Sequence, residues 1–251
     1  TIGTPHTCEN LSKLVPTEGK YSSWDCSFGP SVSDARHRLL VVGDSFAYGI
    51  RTALLAGLDL SASSVNLRVI NRMACPFSAV RGVTVDKICL AHRARTYVEI
   101  KKYRPDFMII AEHANDTAGI QSNYGDGLTK SVSYSLKYTR HLAIIGTQPQ
   151  RQVPSRDCLD RDFNVLQTCW FGAADGQQYR AAQQSVAHSV GKTYVDPLSW
   201  MCVGNLCPPI IDGTFVFQDN EHYSAAFARK LAPLLRMQLD KGGFSKALGL
   251  T

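Results

Sequence analysis

The sequence predicts an α/β fold, a three-layer αβα sandwich around a central, mainly parallel five-stranded sheet. Two observations carry this prediction. Five short runs are apolar throughout rather than alternating, which is how strands buried on both faces read, and stretches with helical periodicity separate them. The length, 251 residues, fits one large domain when a domain averages about 150 residues.

Residues 1–37 are rich in Ser, Pro and Gly and show no clear period, so they read as an N-terminal extension packed on the domain. Leu39-Leu40-Val41-Val42 is the first strand, ended by Gly43. Ala47–Leu58 follows as a helix, with Ile50, Leu54, Leu55 and Leu58 apolar. Later strands are expected at Leu67–Ile70, Phe107–Ala111, Leu142–Gly146 and Thr193–Val195. Helices are expected near 85–103, 126–139 and 175–190, with a last one from Ser224 to Leu239. Residues 38–240 then form the main domain and 241–251 a C-terminal tail. There is no internal repeat and no low-complexity tract. In such sheets ligands bind beyond the carboxyl ends of the strands, which selects residues 43–45, 71–76 and 112–116.

Hydrophobic residues make up 44%, enough for a real core, which excludes a disordered chain. The formal net charge is +6, but the basic clusters, such as Arg36-His37-Arg38 and Lys101-Lys102-Tyr103-Arg104, are short and scattered. Nucleic-acid binding wants a continuous basic stripe, so it is not expected. No apolar run approaches the ~20 residues that span a bilayer. The chain starts at Thr1 without a signal-peptide pattern and reads as a processed or excised piece.

Eight cysteines fall in close pairs, Cys8/Cys26, Cys75/Cys89, Cys158/Cys169 and Cys202/Cys207, with no Cys-x-x-Cys spacing among them. Each pair brackets a short loop, so four local disulfides are expected, and with them an oxidising compartment. Eight buried thiols in a cytosolic enzyme, or a metal site of Cys, His and Asp, are the readings that four disulfides would exclude. No metal or cofactor is expected.

Val42-Gly43-Asp44-Ser45-Phe46-Ala47 places a serine at a strand-to-helix turn, where free helix-start amides suit a developing oxyanion. The plain alternative is an N-cap by Asp44 or Ser45. Among seven histidines, His222 stands in a polar loop before the final helix with Asp219 three residues ahead, near enough to fix its tautomer. Asn115, in His113-Ala114-Asn115-Asp116 after the third strand, has a side-chain amide suited to an oxyanion. A surface Asp–His turn and an Asx turn are the respective alternatives.

Together, Gly43-Asp44-Ser45, His113-Ala114-Asn115-Asp116 and Asp219-Asn220-Glu221-His222 resemble the SGNH (GDSL-like) hydrolase superfamily from Leu39 to Leu239. The chain is most similar to the SGNH domains fused behind bacterial type-3 acyltransferase membrane domains. The supporting segments are Asp25–Gly29, Ala74-Cys75-Pro76, Ser199–Cys202, Cys207-Pro208-Pro209 and Phe227–Pro233. The resemblance implies a flavodoxin-like sheet order and a catalytic domain over 38–240. It also implies a Ser45 nucleophile, a His222 base oriented by Asp219, and an oxyanion hole of the Ser45 N–H and Asn115. The superfamily's second-block glycine is missing from Asn71–Pro76, so a third donor would be a backbone N–H at Ala74 or Cys75. His113 replaces the third-block glycine, and Asp44 and His113 are assigned to substrate binding.

The resulting expectation is an extracytoplasmic serine-dependent acyltransferase acting on a cell-envelope glycan or glycolipid. Its partners would be an acyl donor, a sugar acceptor and an upstream type-3 acyltransferase membrane domain that tethers it. The alternatives are a free carbohydrate esterase of the same mechanism and a non-catalytic glycan-binding domain. Cys75 and Cys202/Cys207 flank site segments, so two staples are expected to hold the site in place.

Overall fold

The structure, a computed structural model, describes residues 7–10, 22–60, 64–80, 86–114, 123–149, 157–158 and 169–250. In chain order its elements begin with β1 (Thr7–Asn10), β2 (Ser23–Phe28), β3 (His37–Gly43), α1 (Ser45–Gly57), β4 (Val65–Arg72) and α2 (Lys87–Tyr103). They continue with β5 (Phe107–Ala111), α3 (Tyr124–Ser135), β6 (His141–Ile145), β7 (Phe171–Gly172), α4 (Gln177–Ser189), β8 (Thr193–Val195) and α5 (Leu198–Met201). The last are β9 (Leu206–Cys207), β10 (Ile210–Ile211), β11 (Thr214–Phe215), α6 (Ala225–Lys230), α7 (Ala232–Asp240) and α8 (Phe244–Ala247).

The main sheet has the order β1-β2-β4-β3-β5-β6-β8. The five expected strands are present and parallel. The sheet nonetheless has seven strands rather than five, because β1 and β2 of the extension add antiparallel to β4. The polar face of β2 is satisfied inside the protein: the Asp25 carboxylate takes a bidentate pair of bonds from Arg68 at 2.8 and 2.6 Å. Arg68 also bonds Glu99 at 2.9 Å, and Cys8–Cys26 joins β1 to β2 across the ladder.

Alternation along the strands divides the core into two layers. Leu39, Val41, Phe107, Ile109 and Ile145 face α1, α6, α7 and α8. Leu40, Val42, Met108, Ile110 and Ile144 face α2, α3 and α4. This is the expected αβα sandwich. The single helix expected over Ser224–Leu239 is two helices meeting at Leu231. Pro233 lacks an N–H and its ring conflicts with the carbonyl four residues back, so a continuous ladder is interrupted there. Within 241–250, α8 folds back and sets Phe244 edge-on against Phe107, 5.1 Å between ring centroids. Among the described residues no helix is long and apolar enough to cross a membrane.

The order of the parallel strands, β4-β3-β5-β6-β8, reverses at β3. Crevices in doubly wound sheets open at such a switch point, beyond the strand ends. Here those ends carry Gly43-Asp44-Ser45 and Ala111-Glu112-His113.

Candidate active site

The turn from β3 into α1 is tight because β3 and β5 approach closely. A Cβ at position 43 would overlap the Ala111 carbonyl oxygen, so only glycine fits there. Asp44 then caps α1: one carboxylate oxygen accepts the Phe46 N–H at 2.8 Å, and the other accepts the His113 N–H at 2.8 Å. Burial raises this carboxyl well above its ordinary range, opposed by those two N–H bonds. Ser45 is the first residue of α1, half-buried, at the end where helix amides are free and the dipole is positive.

The Asp219–His222 loop organises itself. One oxygen of Asp219 accepts the N–H groups of Glu221 (2.9 Å) and His222 (2.7 Å), and the other pairs with His222 Nδ1 at 2.8 Å. Burial alone would raise the Asp219 carboxyl, but those N–H bonds and the imidazole outweigh it and hold it below its usual range. The loop is closed by Gln218 N–H donating to the His222 carbonyl at 2.9 Å. Tyr223 anchors it to the core, stacked on Phe217 at 5.5 Å and packed on Phe46 and Phe227 at 5.6 Å each. His222 Nε2 is buried and has no hydrogen-bond partner among the described residues.

Ser45, Asp219 and His222 line one cleft of about 330 Å³, within the usual range for small-molecule sites. Its other walls include Trp24 from β2, Tyr48, Gly49 and Thr52 from α1, and Asn71 and Met73 at the end of β4.

The family of SGNH domains fused to AT3 domains matches residues 7–236. The chain belongs to that family. It is an SGNH-type enzyme. Comparison with curated proteins gives no significant match. Among solved structures, the periplasmic domain of a lipopolysaccharide acetyltransferase from Salmonella ser. Paratyphi A is similar, with TM-score 0.67 and 15% identity over 82% of this chain and 85% of that one. The M. smegmatis aryl esterase aligns with TM-score 0.53 and 13% identity over 82% of this chain and 99% of that one.

Three sequence assignments in this SGNH domain need correction. Cys75 does not offer its N–H to the cleft, because that group donates to the Arg72 carbonyl at 3.2 Å in a turn. The turn's third residue, Ala74, has φ +53°, the left-handed region where glycine is the ordinary occupant. Asp44 is 2% exposed with both oxygens bonded to backbone, so it builds the turn rather than lining the cleft. The His113 side chain is buried behind the cleft rather than lining it, with Nε2 3.7 Å from Glu221. Cys169 is bonded to Cys158 as expected and is buried.

Asn115 lies outside the described residues. The segment leading to it is fixed from behind: buried Glu112 accepts from the Ser78 N–H (3.0 Å), the Ser78 hydroxyl and the Tyr124 hydroxyl (2.8 Å). Thr147 Oγ1 accepts the Ala114 N–H at 3.1 Å.

All eight cysteines are paired as expected, Cys8–Cys26, Cys75–Cys89, Cys158–Cys169 and Cys202–Cys207. Cys75–Cys89 ties the β4 turn to the start of α2. Cys202–Cys207 lies behind the histidine loop: Cys207 pairs with Phe171 in the β7–β9 ladder, and Phe171 packs on Phe217 at 5.6 Å. Sequence reading missed Trp24, Tyr48, Asn71 and Met73. Only Asn71 and Met73 carried a signal, standing in the segment searched for the second-block glycine. Among the described residues no cluster of His, Cys, Asp or Glu is placed to hold a metal ion.

Proposed function

We propose that this SGNH domain is an extracytoplasmic serine-dependent O-acyltransferase acting on a cell-envelope glycan or glycolipid. One observation supports it above others. His222 has Nδ1 held by Asp219 and a buried, unpartnered Nε2 among the described residues, in the cleft that Ser45 also lines. That is the pattern of an oriented base awaiting a hydroxyl.

In this reading His222 Nε2 takes the Ser45 hydroxyl proton as Oγ bonds to the acyl carbonyl carbon. The oxyanion is met by the Ser45 N–H at the helix start and the Asn115 side-chain amide. As the carbonyl re-forms, the donor's ester bond breaks and His222 returns the proton to the leaving oxygen. An acceptor hydroxyl then gives its proton to His222 and attacks the acyl-Ser45 carbonyl, and Ser45 leaves with that proton. Water as acceptor makes the same machinery an esterase.

The similarity to a lipopolysaccharide acetyltransferase periplasmic domain supports a glycolipid acceptor and an acetyl group. Four disulfides support an oxidising, extracytoplasmic setting. Fusion to AT3 domains in the family supports a membrane partner that delivers the acyl donor. The test is Ser45→Ala with p-nitrophenyl acetate: turnover should fall by about 10³-fold or more while the fold survives. Unchanged turnover contradicts the nucleophile.

A further inference from the structure

We infer that Trp24 and Tyr48 form an acceptor subsite for a pyranose ring beside Ser45, with Asn71 and Gln218 reading its hydroxyls. The inference rests on the acyl-transfer reading above and adds where and how a sugar would sit.

Large side chains with apolar faces line the cleft around Ser45. Tyr48 is 53% exposed and Met73 39%, and half-buried Trp24 completes the wall. The Tyr48 ring is held in orientation by the Arg51 guanidinium, 3.7 Å from its centroid. Tyr48 and Ser45 lie three residues apart on α1, one helical turn, so the ring stands beside the serine. Trp24 arrives from β2, where it pairs with Asn71 of β4.

Polar groups interrupt this wall. Asn71, Gln218 and Trp24 all line the cleft, and none of their side chains makes a hydrogen bond to another described residue. An acyl chain would be served by a continuous apolar lining and would leave these groups unpaired at a cost. A pyranose has the matching split: an apolar face of C–H groups for the aromatic rings, and an equatorial edge of hydroxyls that each donate and accept. In the transfer step one of those hydroxyls loses its proton to His222, its oxygen bonds to the acyl carbon, and the bond from that carbon to Ser45 Oγ breaks.

The test reads how one acetyl-enzyme, loaded from p-nitrophenyl acetate, divides between water and an added acceptor. Methyl α-D-glucopyranoside and sorbitol at equal concentration supply similar hydroxyls with and without a ring face, and the acetylated products are counted by mass spectrometry. The wild-type protein should favour the pyranoside. Trp24→Ala and Tyr48→Ala should each lower its pyranoside-to-water ratio about tenfold, the scale of one aromatic contact. Trp24→Phe should restore part of it, which a merely structural role would not require. Tyr48→Ala, on an exposed helical face, keeps the test valid if Trp24→Ala fails to fold. A wild-type protein with no ring preference, or alanine variants with unchanged ratios, overturns the subsite alone. A folded wild-type protein that forms no acetyl-enzyme overturns the acyl-transfer reading beneath it.

Discussion

The Asp44 carboxylate accepts the backbone N–H of His113 at 2.8 Å while its other oxygen caps α1. One buried side chain thus ties the turn bearing Ser45 to the strand end that leads to Asn115. Asp44→Ala should cost about 1–3 kcal/mol, as lost caps and buried backbone donors do. Denaturant unfolding measures that cost, and acetyl-ester turnover should fall with it. Asp44→Asn should be milder in stability, since its carbonyl oxygen still accepts one of the two N–H groups.

Asp219 orients His222 and stays ionised, its carboxyl held below the usual range. Asp219→Asn should lower kcat by roughly 10³–10⁴-fold with little change in KM. The acid limb of the pH–rate profile should not reflect Asp219 in the wild-type protein. Steady-state kinetics on a small acetyl ester decide both points.

Burial pushes the His113 imidazole down to about 4, aided by the charges of His222 and Arg180. Its unfolded value is about 6.5. Between those two values the unfolded chain binds the extra proton, so this histidine's contribution to stability is intact above about 6.5 and is lost as pH falls toward 4. His92 behaves in the same way, brought to about 4 by burial and then by Arg72 and Arg95. Asp44, raised by burial, binds its proton more readily when folded and opposes the trend. The clean observable is a difference: His113→Asn should make the loss of stability between pH 6.5 and 4 shallower, by up to one proton. Equal slopes for variant and wild type contradict it.

Cys202–Cys207 closes a short loop, so its loss should cost only about 2 kcal/mol globally in the chain-entropy model. Its position matters more, through Phe171 and Phe217 to the loop of His222. The double variant Cys202→Ser, Cys207→Ser should lose most turnover while its far-UV circular dichroism persists. Activity that survives until global unfolding contradicts the brace.

Ala74 sits at φ +53° in the turn after β4. Ala74→Gly should stabilise by about 1 kcal/mol, a rise in Tm of about 2–4 °C for a chain of this size. Scanning calorimetry measures it.

The parallel strands were legible because burial on both faces leaves uninterrupted apolar runs such as Phe107–Ala111. β2 was legible in principle, since Ser23-Trp24-Asp25-Cys26-Ser27-Phe28 alternates with the strand period. Its polar half is satisfied inside the protein, and only the partner Arg68, far along the chain, shows why Asp25 is buried. Ser45, Asp219 and His222 could be read because each has its local context: a strand-to-helix turn, or a carboxylate three residues before an imidazole. Trp24 and Tyr48 could not, since a cleft wall assembled from separate segments leaves no spacing to find; Asn71 was marked only by its place at a strand end. Cys75 was misassigned because a turn hydrogen bond consumes its N–H, which composition does not reveal. The pairing of Cys169 with Cys158 was legible from their proximity in the chain.

The central claim is that Ser45 is an activated nucleophile. The most direct measurement is mass spectrometry of the folded protein after reaction with a fluorophosphonate, followed by peptide mapping. One adduct on Ser45, absent in Ser45→Ala and strongly slowed in His222→Ala, is the predicted result. A folded protein that takes no label, or takes it elsewhere, contradicts the assignment of this cleft as a serine acyl-transfer site.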